Sequence, residues 1–222
     1  MDYDKICSEI IYSKVDLTNL KVTATYEQVM ETVNNAIKNK CASVCLMPCY
    51  VKDAYNIAEE KVNICTVIGF PNGNMSTAVK VFETKKAIED GATEIDMVIN
   101  INALKSGNYD YVLQEIEAIR KVCKDKILKV IVETCLLTEE EKIKMCEIVT
   151  KSGADYIKTS TGFSTGGATL KDIIIFKREL DKLNVEYNRN VKIKASGGIR
   201  TFEDAKTFIV AGADRIGTSK LS

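Results

Sequence analysis

The stretch DYIKTSTGF, residues 155–163, and the stretch VKIKASGG, residues 191–198, share one plan. Each alternates apolar and polar residues, carries a lysine near its end and runs into a turn of small residues. Such alternation is typical of a β-strand and places Lys158 and Lys194 on the polar face of their strands. The lysines are 36 positions apart (194 − 158), which leaves room for one helix with its loops. We therefore predict two adjacent parallel strands.

The same strand–helix unit recurs outward from this pair. Apolar runs predict strands at 15–18, 42–47, 62–70, 93–100, 127–133, 154–160, 191–195 and 213–217. Apolar residues at helical spacing predict helices at 2–13, 25–38, 51–60, 76–90, 109–123, 138–152, 169–182 and 201–211. Eight units in 222 residues, with no G-x-G-x-x-G motif after the first strand, favour a closed (β/α)8 TIM barrel over an open doubly wound sheet.

The chain reads as a single domain over residues 1–222, since it contains no linker or low-complexity tract. A short N-terminal helix precedes the first strand. The sequence stops at Ser222, soon after the eighth strand, so we expect a truncated eighth helix.

Composition narrows the classes of function. Lysine plus arginine equals aspartate plus glutamate at 31 each, which gives no reason to expect nucleic acid or a membrane surface as partner. No charged segment leads into a long apolar run, so we expect a cytoplasmic protein without a membrane span. The eight cysteines form no C-x-x-C pair and are predicted to be buried, reduced thiols. Histidine is absent, which excludes a Ser-His or Cys-His nucleophile.

Strand alternation also predicts a charged barrel interior. Barrel interiors are normally filled by Val, Ile and Leu, so several charges there need a reason. One reading is an active site, and the other is a self-satisfied ion network without chemistry. A structural role is favoured for Lys129, whereas Asp96 either moves protons or neutralises a lysine. The inward-facing set comprises Asp16, Cys45, Glu94, Asp96, Lys129, Glu133, Lys158 and Lys194.

The paired lysines suggest nucleophilic chemistry. A second ammonium and partial desolvation both disfavour the charged form of an amine, so we expect Lys194 to lower the pKa of Lys158. The neutral amine can attack a carbonyl and form a Schiff base. Asp96 could then hold a water and move protons.

Small residues follow the last three predicted strands. Loops at these positions of a TIM barrel often bind phosphate through backbone N–H groups and a helix N-terminus. Arg200 adds a positive charge at the start of the next helix. The candidate phosphate-binding residues are Gly162, Gly197, Gly198, Arg200, Gly217 and Ser219.

Three segments resemble the signature segments of the deoxyribose-phosphate aldolase family: YIKTSTG at 156–162, KIKASGGIR at 192–200 and EIDMV at 94–98. DLT at 16–18, VC at 44–45 and KVIVET at 129–134 fit as well, and the resemblance runs from about residue 14 to residue 219. The resemblance implies a (β/α)8 class I aldolase, a carbon–carbon lyase of deoxyribose phosphate catabolism. Such an enzyme reversibly splits 2-deoxy-D-ribose 5-phosphate into D-glyceraldehyde 3-phosphate and acetaldehyde.

The resemblance also implies roles for the residues. Lys158 would form the Schiff base, with Asp96 and Lys194 as proton donor and acceptor. Phosphate would bind to Gly162, Gly197, Gly198, Gly217 and Ser219, with Arg200 beside them as argued above. The rest of the substrate would bind to Asp16, Thr18, Cys45, Lys129 and Thr161. The implied partners are a sugar phosphate and acetaldehyde, and no metal or organic cofactor is implied. A homodimer is a further expectation. Two departures are Phe163, where some members have a lysine, and Lys220, where a small hydroxyl residue is common.

Two other functions remain open at this point. One is a different Schiff-base barrel, such as a transaldolase-like enzyme acting on another sugar phosphate, although lysines on adjacent strands argue against it. The other is a catalytically silent barrel that binds sugar phosphates.

Overall fold

A closed barrel of eight parallel strands, each hydrogen-bonded to its neighbours in sequence order, dominates the computed structural model, which describes residues 3–221. The predicted TIM barrel is thereby confirmed. The strands are β1 (Val15–Asn19), β2 (Ser43–Leu46), β3 (Asn63–Ile68), β4 (Glu94–Val98), β5 (Ile127–Ile131), β6 (Tyr156–Lys158), β7 (Lys192–Ser196) and β8 (Arg215–Thr218).

Helices connect the strands on the outside of the barrel. Within residues 3–221 they are α1 (Tyr3–Tyr12), α2 (Tyr26–Lys38), α3 (Val51–Ala58), α4 (Thr77–Glu89), α5 (Ile101–Lys105), α6 (Tyr109–Cys123), α7 (Glu139–Ser152), α8 (Leu170–Glu186) and α9 (Phe202–Val210). Short 3-10 turns follow β2 at Pro48–Tyr50 and β5 at Thr134–Leu136. No helix follows β8 in the described residues, which end at Leu221, and residues 1, 2 and 222 lie outside them.

Capping residues fix where several helices begin. Thr138 accepts a hydrogen bond from the Glu141 backbone N–H, and the Glu141 side chain accepts one from Thr138, so the predicted capping box is present. Thr25 and Gln28 form the same motif at α2. Gly153 ends α7 in the left-handed conformation, with φ of 84°, which glycine adopts without steric cost.

The strand register brings the charged residues together. Asp96 pairs with Lys129 across β4 and β5, and Lys158 pairs with Lys194 across β6 and β7. Apolar residues on the opposite faces of these strands pack between the sheet and the helices, among them Ile95, Met97, Leu128, Val130, Ile157 and Ile193. The alternation thus sorts apolar side chains outward and charged ones inward, as predicted.

Several element ends differ from the predictions. The predicted strand 154–160 is reduced to β6, and just after it the Thr159 hydroxyl links the chain to β7 by donating to the Ser196 carbonyl and accepting from the Ser196 N–H. Helix α8 continues past residue 182 to Glu186, since the intervening residues contain no Gly or Pro. The five-residue helix α5 was not predicted.

The cysteine prediction is partly wrong. Cys49 and Cys135 are exposed, because each lies in a 3-10 turn that leaves the barrel rim. The other cysteines whose side chains the structure describes are buried, and these seven are all free thiols: Cys41, Cys45, Cys49, Cys65, Cys123, Cys135 and Cys146.

None of the helices in residues 3–221 combines the length and apolar character that a membrane span requires.

Candidate active site

The Asp96 carboxylate binds all three lysines of the barrel interior. The Asp96 Oδ2 atom accepts hydrogen bonds from the Nζ atoms of Lys158 and Lys194, both at 2.7 Å. The Oδ1 atom accepts one from Lys129 Nζ at 2.8 Å. All four side chains are buried, and only Lys158 has any exposure, at 3%. The structure therefore brings together the three residues predicted to be catalytic, with Lys129 beside them.

A second set of charges lies behind Asp96. Asp16 accepts hydrogen bonds from Lys194 and, at 2.6 Å, from Arg215 Nη1. Glu94 Oε2 is 2.6 Å from Lys129 Nζ. Arg215 was missing from the sequence prediction, although its alternation with Gly217 in β8 places it on the inward face. These contacts join the charges from β1, β4, β5, β7 and β8 into one network.

The network fixes the charge of its carboxylates. Burial alone would raise the pKa of Asp96, but the charges of Lys129, Lys158 and Lys194 lower it well below its usual range. For Asp16, burial is likewise outweighed by Lys129, Lys194 and Arg215, so its pKa is also lowered. Both side chains are therefore ionised at neutral pH.

Lys194 is held as a cation. Burial would lower its pKa, but the charges of Asp16 and Asp96 raise it above the usual value. Lys194 thus presents a fixed positive charge on the strand next to Lys158, and the Nζ atoms of both lysines share one Asp96 oxygen. That Lys194 favours the neutral amine of Lys158 stays a prediction.

A cleft opens above this network at the carboxyl ends of β1, β6, β7 and β8. Its volume is about 270 Å³. Lys158 lines it, whereas the fully buried Lys129 and Lys194 do not. The structure also places in its wall two of the five predicted substrate-binding residues, Thr18 and Thr161, and all six predicted phosphate-binding residues: Gly162, Gly197, Gly198, Arg200, Gly217 and Ser219. Asp16, Cys45 and Lys129 lie beneath the cleft and are fully buried.

Close packing accounts for two of the glycines in the cleft wall. Gly197 has φ of +87°, and a Cβ there would lie 3.0 Å from Gly167 Cα, where the loop after β6 crosses it. A Cβ on Gly217 would lie 3.1 Å from Lys194 Cε and 2.9 Å from Ser196 Cβ. Larger residues would therefore push against the lysine or close the cleft.

Comparison with known proteins agrees with this geometry. A family model described as DeoC/LacD family aldolase matches residues 11–220. The chain belongs to this aldolase family. The predicted family and enzyme class, a carbon–carbon lyase, are thereby confirmed.

Individual members of the aldolase family are similar over nearly the whole chain. The deoxyribose-phosphate aldolase of Clostridioides difficile (strain 630) is 54% identical over 95% of this chain and 93% of the relative. A crystal structure of a putative deoxyribose-phosphate aldolase from Coccidioides immitis is 40% identical, with a TM-score of 0.92 over 96% of this chain and 83% of that chain. A tetrameric deoxyribose phosphate aldolase from Aeropyrum pernix is 34% identical, with a TM-score of 0.87 over 96% of this chain and 88% of that chain.

Within this aldolase barrel, Glu133 ties β5 to the loop that follows Lys158. It lies just after β5 in the left-handed region (φ 57°), and its carboxylate accepts hydrogen bonds from the backbone N–H and the hydroxyl of Thr161. Thr161 in turn accepts a hydrogen bond from the Phe163 N–H at 3.0 Å. Burial raises the pKa of Glu133, although the Thr161 hydrogen bonds oppose this shift. Alternation placed Glu133 inward, but nothing in the sequence indicated Thr161 as its partner.

Two overlapping groups of side chains bring together thiol and carboxylate atoms that could bind a metal ion. They are Cys45 with Cys65 and Asp96, and Asp16 with Cys65 and Glu94. Their carboxylates already bind lysine or arginine at 2.6–2.8 Å. A metal ion would have to displace one of these cations. The residues therefore fit an ion-paired amine site better than a metal centre.

A larger cavity of about 650 Å³ lies at the opposite end of β3 and β4, bordered by α3 and α4. Asn63, at the start of β3, and Thr93, just before β4, line it, and none of the predicted site residues does. The smaller cleft is therefore the candidate active site.

Proposed function

We propose that this chain is a class I aldolase that reversibly cleaves 2-deoxy-D-ribose 5-phosphate to D-glyceraldehyde 3-phosphate and acetaldehyde. The observation that carries the proposal is the position of Lys158. It lies at the wall of a cleft formed by glycine-rich loops, with its amine 2.7 Å from Asp96 and on the strand next to Lys194. The 54% identity to an enzyme named deoxyribose-phosphate aldolase supports the choice of substrate.

The first step joins the amine to the substrate. The neutral Lys158 Nζ attacks the C1 aldehyde carbon of the open-chain sugar, and the carbonyl oxygen takes up a proton. Loss of water from the resulting carbinolamine leaves a protonated Schiff base. Asp96, ionised and within hydrogen-bonding distance of Lys158, is placed to receive the amine's proton and return it to the departing water.

The second step breaks the bond between C2 and C3. A proton leaves the C3 hydroxyl, C3 becomes the aldehyde carbon of glyceraldehyde 3-phosphate, and the electron pair of the broken bond moves into the iminium group. The remaining two-carbon enamine is protonated at C2 and then hydrolysed to acetaldehyde and free Lys158. We assign these proton transfers to Asp96 through a bound water, with Lys194 as the neighbouring proton donor. No step needs a metal or an organic cofactor.

An activity assay with the purified chain tests this function. We expect wild type to release glyceraldehyde 3-phosphate from 2-deoxyribose 5-phosphate, and Lys158→Met to lower kcat by at least about a thousandfold, because the nucleophile is gone. Lys85→Met, on the exposed face of α4, is the matched control and should keep wild-type activity.

The same assay separates the alternatives. Phosphate binding without cleavage would contradict the aldolase and favour a silent barrel. Cleavage of a different sugar phosphate alone would favour a transaldolase-like enzyme.

The cellular setting is part of the proposal. Free thiols at the seven cysteines whose side chains the structure describes suit the reducing cytoplasm. The relevant partners are the small sugar phosphate and acetaldehyde. A homodimer stays a prediction, beside the tetramer named for the relative from Aeropyrum pernix.

A further inference from the structure

The charged side chains in the wall of the cleft share one sign. They are Lys21, Lys158 and Arg200, and no carboxylate lines the cleft. The chain as a whole carries no net charge, so this one-sided wall is a local feature. A low-dielectric cleft lined by cations attracts anions. Lys158 has its place in the chemistry and Arg200 was predicted from the sequence, which leaves Lys21 without a role.

Lys21 lines the cleft from the β1 side of the barrel. It follows β1, whereas Arg200 and the glycines belong to the loops after β6 and β7 and to the end of β8. Since β1 pairs with β8 to close the barrel, Lys21 lines the same cleft as Gly217, near the end of β8, and Ser219, just after it. A ligand held by those loops is therefore flanked by Lys21 and Arg200.

The backbone of Lys21 is fixed, while its side chain is exposed. Leu20, just before it, is buried against Cys45, Cys65 and Val67. Just after it, the Ala24 N–H donates to the Lys21 carbonyl at 3.1 Å, and Thr25 caps α2. The ammonium group forms no ion pair or hydrogen bond with any residue of the described chain. An anchored lysine without a partner at the rim is ready to bind an anion.

The part of the cleft rim formed by Gly162 and Phe163 carries no positive charge comparable to Lys21. Phe163, next to Gly162, packs its ring on Phe70 edge to face, with centroids 5.2 Å apart. Phe163 lines the cleft with an apolar surface and contributes no cation. A phosphate dianion held by the glycine loops would therefore depend on Lys21 and Arg200 for its charged contacts.

We propose that Lys21 is a specificity-determining residue that binds the substrate's phosphate and makes the enzyme select phosphorylated over neutral aldehyde sugars. This inference rests on the proposed function. The contact is charge-assisted, and such contacts are stronger than neutral hydrogen bonds. Lys21 does not take part in the bond-breaking steps, so its effect falls on substrates that carry the phosphate.

The test compares two substrates in three variants. In Lys21→Met, kcat/KM for 2-deoxyribose 5-phosphate should fall by about tenfold or more, while kcat/KM for 2-deoxyribose stays within about twofold. Lys21→Arg, which keeps the charge, should retain most of the preference for the phosphorylated sugar. Lys85→Met should leave both values unchanged.

A measurement of phosphate binding tests the role of Lys21 without relying on catalysis. Inorganic phosphate, titrated by 31P NMR, should bind to wild type and Lys85→Met and about tenfold more weakly to Lys21→Met. An unchanged substrate preference, an equal loss for both sugars, or unchanged phosphate binding in Lys21→Met would overturn the role of Lys21. If wild type cleaves neither sugar, the proposed function fails, whereas the phosphate titration still decides whether Lys21 binds the anion.

Discussion

At the scale of single residues, the carboxylates of Asp96 and Asp16 hold together the lysines and the arginine of the barrel interior. Asp96 alone contacts Lys129, Lys158 and Lys194. Buried ion pairs do not by themselves stabilise a fold, but removing one partner leaves an uncompensated charge in the interior. We therefore expect that removing either carboxylate destabilises the fold.

The pH dependence of stability tests this coupling at Asp16. Its pKa is lower in the folded than in the unfolded protein, so its contribution is fully present above the unfolded value, near 3.9, and is lost as pH falls through the folded value. Asp16→Asn should lower the free energy of unfolding by about 3–5 kcal/mol at pH 7. The difference from wild type should narrow steadily below about pH 4. Urea unfolding, monitored by circular dichroism at several pH values between about 2.5 and 8, measures the free energy of unfolding of wild type and of Asp16→Asn.

Asp125→Asn is the control for this experiment, because that side chain is 82% exposed. It should match wild type at every pH. A stability difference for Asp16→Asn that stayed constant down to the lowest pH would contradict the ionised, ion-paired Asp16.

At the scale of elements, the loop after β6 has to hold Gly162 and Lys158 in a fixed relation. Two contacts do this: Glu133 accepts from Thr161, and the Ala168 N–H donates to the carbonyls of Ser196 and Gly197 at 3.0 and 3.1 Å. Glu133 forms this contact from a left-handed backbone conformation, which is unfavourable for a glutamate. Strain kept at such a position indicates that the contact matters for the site.

Glu133→Gln tests the contact between β5 and the loop. The amide is uncharged, and its NH2 group replaces one of the two oxygens that accept from the Thr161 backbone N–H, so the hydrogen bonds to Thr161 become weaker. We expect kcat/KM for the phosphorylated substrate to fall about tenfold, the range of one hydrogen bond to a charged group. Thr161→Val should show a similar loss and Thr161→Ser should remain near wild type. Equal activity of wild type and Glu133→Gln would show that the loop is held by other contacts.

At the scale of the whole molecule, the sequence predicted the barrel because eight strand–helix units follow one another along the chain. It also predicted the lysine pair, since Lys158 and Lys194 occupy matching positions in similar segments. Three features could not be read in this way. Helix α5 has only five residues, too few for a periodic pattern. The contact between Glu133 and Thr161, and the free ammonium of Lys21, depend on how loops distant in sequence meet.

Native alkylation of the cysteines tests the closure of the barrel as a whole. Iodoacetamide should modify Cys49 and Cys135, which are exposed, within the native protein. It should spare Cys45 and Cys65 inside the barrel, and Cys41 and Cys123, whose pKa values burial raises to about 12. Mass spectrometry of digested peptides locates the labels, and unfolding in urea should expose all of these thiols. Rapid labelling of Cys45 or Cys65 in the native protein would mean that the interior is open.

The most direct test of the nucleophile is chemical trapping. Wild type is incubated with acetaldehyde and sodium borohydride, and the digested peptides are mapped by mass spectrometry. We predict a stable two-carbon adduct on Lys158, slower formation of that adduct in Lys194→Leu, and none at this position in Lys158→Met. An adduct confined to another lysine, or no adduct in an active enzyme, would contradict the assignment of Lys158 as the Schiff-base residue.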